Sequence, residues 1–387
     1  MLKIGLISSA HESGWISCKT IVKNLFASYD GLFGDAEVRR FGILEDTQAT
    51  WETAREIAAW KPDELIFVDH SPHPVHLLAA LYSLYGGRKL PVITIHVFGD
   101  FSIYPAEWMQ ADPVLLKMRV RFICASPRQR ELVLKFLRCD DIPEVCPFPV
   151  DTAIFRYNER QRNEWRTRLG LKDGEIAITY GGRVSLQKNV GMLISEFRKL
   201  ISTGTLDAKL FIAGPFDGVN APLFNLNFQR GFYYHRFRQE LAALPDGLRD
   251  RVRYLGNLNS QALAGLNNAS ELVCSLSLHH DEDFGMAPAE ALLCGTPAVL
   301  TDWGGYASFG GNPEDVDFVP VRTAPKGLKL SSIETRRRIL RMIARGPGNR
   351  QERAERFERR VSIHAVREIL RDIRTRSAPT FKGFSYK

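Results

Sequence analysis

Residues 281–300, DEDFGMAPAEALLCGTPAVL, set Glu282 and Glu290 on either side of a Gly-Met-Ala-Pro turn and then run into an apolar strand. Two carboxylates acting as general acid and base on one bond need a separation of ~5 to 9.5 Å. The local pattern argues against that chemistry. Asp281 to Phe284 follow the apolar run ELVCSLS as a loop, Pro288 fits the first turn of a helix, and Gly295 fits its C-terminal end. Glu282 then precedes the helix while Glu290 lies within it, and eight helical positions rise ~12 Å. A long ligand held at two points suits this spacing better. The N–H groups of Gly285, Met286 and Ala287 at the helix start face an anion between the two acids, and Gly285 lets that anion approach the backbone. Such a ligand is a nucleotide sugar, with Glu290 on the ribose hydroxyls, the helix start near diphosphate and sugar, and Glu282 on the sugar hydroxyls.

Two cations extend this reading. Arg183 and Lys188 follow the apolar run IAITYGG, and together they can neutralise a diphosphate leaving group without a metal. His96 ends the run PVITIHV, with Gly99 and Asp100 in the turn behind it, where an imidazole can donate to a sugar hydroxyl or phosphate oxygen. Each side chain also has a plain reading: a capping or solvated carboxylate, an exposed base, a histidine satisfied inside the fold. His70, His73 and His76 lie across two prolines in DHSPHPVH and form no metal motif; none of the six cysteines forms a C-x-x-C pair. No metal and no cofactor is expected, and the cysteines read as buried free thiols.

The elements that must carry these residues alternate between strand-length apolar runs and helix-period segments. KIGLIS, EVRRFGIL, ELIFVD, PVITIHV and RFICAS form a first series of strands; IAITYGG, AKLFIAG, VRYLGN, ELVCSLS, PAVLT and VDFVPV form a second. Between them DDIPEVCPFPVDTAIF, with Pro143, Pro147 and Pro149, reads as a linker. The expected fold class is α/β, with two Rossmann-like doubly wound domains facing across a cleft. Residues 1–150 form an N-terminal acceptor-side domain, 151–360 a C-terminal nucleotide-sugar domain, and 361–387 a helical tail packing back on the first. Open parallel sheets bind ligands beyond the C-terminal ends of their strands, which is where the singled-out residues fall.

The segment EDFGMAPAE followed by CGTPAV resembles the Glu-x7-Glu motif of the retaining family 4 glycosyltransferases of GT-B fold. GGRVSLQKNVGMLISEF is similar to the family's Gly-Arg…Lys phosphate-binding segment, and VCPFPVDTAIF to its interdomain stretch. The resemblance implies catalytic roles for Arg183, Lys188, Glu282 and His96. It implies donor binding by Glu290, Phe284, Gly285, Met286, Ala287, Gly182 and Gly14, the last in the loop after the first strand. His11, Glu12 and Ser13 of that loop, with Asp100, fall on the acceptor side. Asn189 stands where the family commonly has Gly, and can cap the next helix. TDWGGYASFGG resembles a family loop in which Gly304 and Gly305 let backbone amides touch diphosphate or acceptor. The implied reaction moves a hexosyl group from a nucleotide-diphosphate sugar to the hydroxyl of a glycan, lipid or small molecule, with retention and without metal. An epimerase or phosphorylase on the same fold is the alternative among enzymes, and a noncatalytic nucleotide-sugar-binding protein the alternative outside them.

Bulk properties fit a folded enzyme. Apolar residues are 44% and charged residues 25% of 387, enough for two cores and too apolar for a disordered chain. No run reaches the ~18 apolar residues of a membrane helix, and MLKIGLISSAHESGW reads as a first strand rather than a secretion signal, so a cytoplasmic location is expected. The net charge of +8 is concentrated from residue 334 onward, where fourteen Arg and two Lys outnumber six acids. Glu and Arg at helical spacing in RQERAERFERR favour a solvated face over nucleic-acid binding, leaving room for weak peripheral contact with the inner face of a membrane.

Overall fold

The computed structural model describes residues 1–10, 16–69, 73–86, 90–99, 101, 105–116, 118–138, 142–204, 206–216, 232–279, 282–325 and 327–385. These divide into two compact units, residues 1–150 with 360–387 and residues 151–359. No helix among them is long and apolar enough to cross a membrane.

In the first unit the strands are β1 (Lys3–Ser9), β2 (Glu37–Ile43), β3 (Glu64–Phe67), β4 (Val92–Val97), β5 (Val120–Cys124) and β6 (Glu144–Val145). They form one parallel sheet in the order β2-β1-β3-β4-β5-β6. Helices α1 (Ile16–Tyr29), α2 (Thr47–Trp60), α3 (Val75–Tyr85), α4 (Pro105–Gln110), α5 (Asp112–Leu115) and α6 (Pro127–Leu134) connect them. Runs buried on both faces, as all of β3 and β5 are, belong to a sheet covered by helices on either side. Asp46 starts α2 by accepting the Ala49 N–H at 2.8 Å. The proline-rich stretch expected as linker contains β6, which pairs with β5. Two residues between Pro143 and Pro147 can add an edge strand, because an edge needs hydrogen bonds on one side only.

The second unit holds β7 (Ile176–Gly181), β8 (Ala208–Ala213), β9 (Val252–Tyr254), β10 (Leu272–Ser275), β11 (Ala298–Thr301) and β12 (Val316–Val319). Their parallel order is β12-β11-β10-β7-β8-β9, so chain order reverses between β7 and β10. Its helices are α7 (Glu159–Leu169), α8 (Val190–Ser202), α9 (Phe232–Ala242), α10 (Asp246–Arg249), α11 (Ser260–Ala269), α12 (Met286–Leu293), α13 (Ser332–Arg345) and α14 (Arg350–Val361). An antiparallel hairpin, β13 (Val321–Ala324) and β14 (Gly327–Leu330), follows Pro320 and escapes the sequence reading, in which VDFVPV was one strand. Tyr233 and Phe237, from the aromatic stretch 224–237, are buried in this unit's core; 217–231 lie outside the described residues.

The terminal helix α15 (Ile363–Thr375) belongs to the first unit. Val150 N–H meets Val361 O at 2.7 Å, Arg367 donates to Ala27 O at 2.8 Å, and Arg374 pairs with Glu64 at 2.8 Å. Phe381 and Phe384 enter the first core beside Phe122. The tail is therefore less a solvated basic face than its charge suggested. Arg350 and Arg353 are 6% and 1% exposed, and both are held by carbonyls.

Candidate functional site

The point where strand order reverses leaves a crevice beyond the strand ends, because the connections on its two sides leave in opposite directions. In the second unit β7 and β10 flank it, and the loops after those strands carry Arg183 with Lys188 and Glu282 respectively. After β7 the backbone turns at Gly182, whose φ is +133°. Gly182 N–H bonds Ala213 O at 3.0 Å, and Tyr180 Oη donates to Arg183 O at 2.5 Å, which folds the loop over the strand end. A short 3-10 turn, Leu186–Lys188, follows. Asn189 then adopts φ +58°, a left-handed conformation that Asn tolerates better than other residues with a Cβ. Its side chain makes no cap; it contacts Met192 Sδ at 3.5 Å, so Asn189 replaces Gly for its backbone.

Lys188 Nζ meets Glu282 Oε2 at 2.6 Å, with both side chains largely buried. A second tie, from Leu278 N–H to Gln187 O at 3.1 Å, runs beside it, so the two loops are joined by backbone as well as charge. Burial pushes the Glu282 carboxyl upward, yet the Lys188 ammonium and its hydrogen bond outweigh that and hold it below the ordinary range. Glu282 is thus an anion at neutral pH.

Glu290 has a different environment. It lies in the middle of α12, buried, and burial alone raises its carboxyl to about 8. Neither glutamate perturbs the other, so they are no acid–base dyad. At the start of α12, Gly285 adopts φ +106°, and a Cβ there would lie 2.6 Å from the Tyr306 ring. The first-turn N–H groups of Met286 and Ala287 have no carbonyl of their own helix to reach. Phe284, expected against the donor, instead packs its ring on Phe309 at 5.1 Å and is 3% exposed; an apolar ring beside a core phenylalanine leaves only its backbone for a ligand.

The loop after β11 holds the glutamate loop in place. Gly305 N–H donates to Glu282 O at 2.5 Å, Trp303 Nε1 donates to His279 O at 2.7 Å, Thr301 Oγ1 donates to Ser277 O at 2.6 Å, and Tyr306 Oη pairs with Ser275 Oγ at 2.9 Å. A Cβ on Gly304 would lie 2.4 Å from Glu282 O, and one on Gly305 2.2 Å from Asp283 O. The Gly305 amide, expected on a diphosphate, is spent on the Glu282 carbonyl. Asp283 is a participant the sequence reading passed over. Burial, and next the Glu282 charge, raise its carboxyl to about 7. Nothing in the motif pattern marks it, since its perturbation comes from burial.

The far end of α12 is fixed by arginines that also had no sequence signal. Arg350 donates to Ser270 O, Asn268 O and Thr296 Oγ1 at 2.8, 2.9 and 2.7 Å, and Arg353 bonds Gly295 O and Asp315 Oδ1, each at 2.9 Å.

In the first unit His96 is not at a surface. It is 1% exposed, its Nε2 lies 2.7 Å from Tyr29 Oη, and burial lowers its pKa to about 3. The expected sugar-facing role gives way to a structural one, because β4 is buried along nearly its whole length and the ring points inside. His11, Glu12, Ser13, Gly14 and Asp100 lie outside the described residues. Among the described residues no cluster of three or more His, Cys, Asp or Glu is arranged to hold a metal.

Two parallel six-stranded α/β sheets, with paired cation and glutamate loops at the switch point of the second, have the GT-B fold. Residues 161–315 match the family model described as Glycosyl transferases group 1. It is 30% identical over 183 residues to a D-inositol 3-phosphate glycosyltransferase of Rhodococcus erythropolis, covering 47% of this chain and 36% of that one. With the alpha-monoglucosyldiacylglycerol synthase of Streptococcus pneumoniae it is 26% identical over 224 residues, 54% of this chain and 46% of that one. The chain thus spans well under two thirds of the curated relatives it matches. Anabaena HepE, solved in complex with UDP, superposes with a TM-score of 0.72 at 15% identity, over 97% of this chain and 100% of that one.

Proposed function

We propose that the protein transfers a hexosyl group from a nucleotide-diphosphate sugar to an acceptor hydroxyl, with retention of configuration and without a metal. The observation that carries this is the Lys188–Glu282 pair at the switch point, set beside a helix whose buried Glu290 carboxyl is neutral until a partner reaches it. Glu290 receives the ribose hydroxyls, the start of α12 receives the diphosphate, and Glu282 orients the sugar. The acceptor oxygen bonds to the anomeric carbon on the face from which the diphosphate departs. The carbon–oxygen bond to the diphosphate breaks with its electron pair going to the phosphate oxygen, which also takes the acceptor proton. Arg183 and Lys188 stabilise the charge growing there, where fixed cations lower the barrier most.

HepE was solved with UDP and with UDP-glucose, and two relatives are named as a D-inositol 3-phosphate glycosyltransferase and an alpha-monoglucosyldiacylglycerol synthase. These support a uridine-type donor and a polar or lipid-linked acceptor. A cytoplasmic role in polysaccharide or glycolipid assembly, with peripheral membrane contact, accords with this chemistry. The test is incubation with a panel of nucleotide-diphosphate sugars and acceptors, the anomeric configuration of donor and product being read by NMR, with and without chelator. Transfer with retention that survives chelation is expected. Inversion, or a strict need for divalent cation, overturns the mechanism. Donor conversion without any acceptor would establish the epimerase reading in its place.

A further inference from the structure

Residues 321–345, which make the β13–β14 hairpin and α13, carry eight basic residues against one acid. Helix α13 buries Ile339 and Met342 in the second core, and its inward arginines are matched: Arg336 pairs with Glu196 at 2.5 Å and Arg338 with Asp317 at 3.0 Å. The opposite face is unlike an ordinary solvated one. Ile333 is 70% exposed and Leu340, one heptad later, 38%. Arg337 stands one turn beyond Ile333, Arg341 lies beside Leu340 and reaches back to Asp317 Oδ2 at 3.2 Å, and Ala344 completes the stripe at i+11. Together they line a broad, shallow depression. Arg337 reaches only Glu334 of its own helix, at 3.1 Å.

The hairpin supplies an independent observation. Its register sets Arg322 directly opposite Lys329, both exposed. Like charges facing each other across two strands destabilise a hairpin. Neither of these two forms an ion pair with any described residue, so the repulsion stands uncompensated among the described residues. The other face of the hairpin is anchored by Leu330 on the second core, which keeps the Arg322–Lys329 face outward.

We propose that this face of α13, with the adjoining hairpin, docks on an anionic phospholipid bilayer, Ile333 and Leu340 entering the headgroup boundary and Arg322, Lys329 and Arg337 meeting the lipid phosphates. A nucleic acid would satisfy the cations but would leave the two exposed apolar side chains without a purpose; a bilayer satisfies both. The surface is separate from the residues assigned to donor chemistry, so its failure and that of the transferase reading are distinguishable.

The test is co-sedimentation of the full chain with phosphatidylcholine vesicles, with and without phosphatidylglycerol. Binding is expected only to the anionic vesicles and is expected to fall with added salt. Arg322→Gln with Arg337→Gln weakens it on the order of tenfold, and Ile333→Ser with Leu340→Ser weakens it at least several-fold. Arg322, Arg337 and Ile333 are exposed while Leu340 is 38% exposed, so the arginine variant should melt with the parent and the serine variant slightly below it, which separates lost docking from lost fold. Absence of binding to anionic vesicles, or equal binding by both variants, overturns the proposal. So does loss of binding in the arginine variant alone together with salt-sensitive RNA binding, or a dimer on gel filtration that only the Ile333→Ser, Leu340→Ser variant abolishes.

Discussion

Lys188 Nζ lies 2.6 Å from Glu282 Oε2, and the pair bridges the loops that leave β7 and β10, ninety-four residues apart in the chain. A buried charge pair of this kind costs little while complete and much when halved. Lys188→Ala should therefore destabilise the fold by about 3 kcal/mol or more, since Glu282 would remain buried without its counter-ion. Lys188→Met combined with Glu282→Gln should recover most of that stability while turnover stays lost. Urea unfolding and donor turnover on the three proteins check this; full turnover at saturating donor in Lys188→Ala would remove the lysine from the mechanism.

Glu290 predicts a pH dependence of the opposite kind. Its carboxyl titrates near 8 in the folded chain and near 4.3 when unfolded, so folding keeps a proton that the unfolded state has released. The resulting penalty is absent at low pH, grows as pH rises through the unfolded value and is complete above 8. Glu290→Gln should then raise stability by about 1–3 kcal/mol at pH 8 and leave it unchanged near pH 4, while weakening nucleotide-sugar binding. Thermal melts at the two pH values, with donor titration by calorimetry, test both halves. A destabilised Gln variant at pH 8 would mean that the carboxylate already has a partner in the empty protein.

The glycines beneath the glutamate loop predict a steric effect. Gly305→Ala places a methyl 2.2 Å from Asp283 O, which the loop can relieve only by moving Glu282. A loss of about 1–3 kcal/mol with a marked fall in donor affinity is expected. Gly247→Ala is the control: its φ is not left-handed and nothing lies within 4 Å of the added methyl, so little should change.

His96 predicts a silence. Held neutral by burial, with a pKa of about 3, it should give no titration in NMR between pH 5 and 8 and no limb in the activity profile. Tyr29→Phe, which strands Nε2, should cost about 1–3 kcal/mol and leave the pH profile unmoved. A His96 resonance titrating near pH 6.5 would place the ring in contact with solvent.

The chain's own pattern determined a good deal. Strand-length apolar runs and their spacing specified eleven strands in two series, because burial on both faces leaves a continuous hydrophobic signature. The glycine, proline and carboxylate order around Glu282 and Glu290 identified a loop followed by a helix, since caps and turns depend on neighbours in sequence. Tertiary structure alone decided the rest. That Lys188 closes on Glu282, that Gly305 supports Glu282 rather than a ligand, that His96 turns inward to Tyr29, and that Arg350 and Arg353 sink among carbonyls all depend on partners from twenty-three to ninety-four positions away. Local propensity carries no information about such pairings; they arise when the sheet order brings distant loops together and burial makes each unpaired polar group too costly to leave.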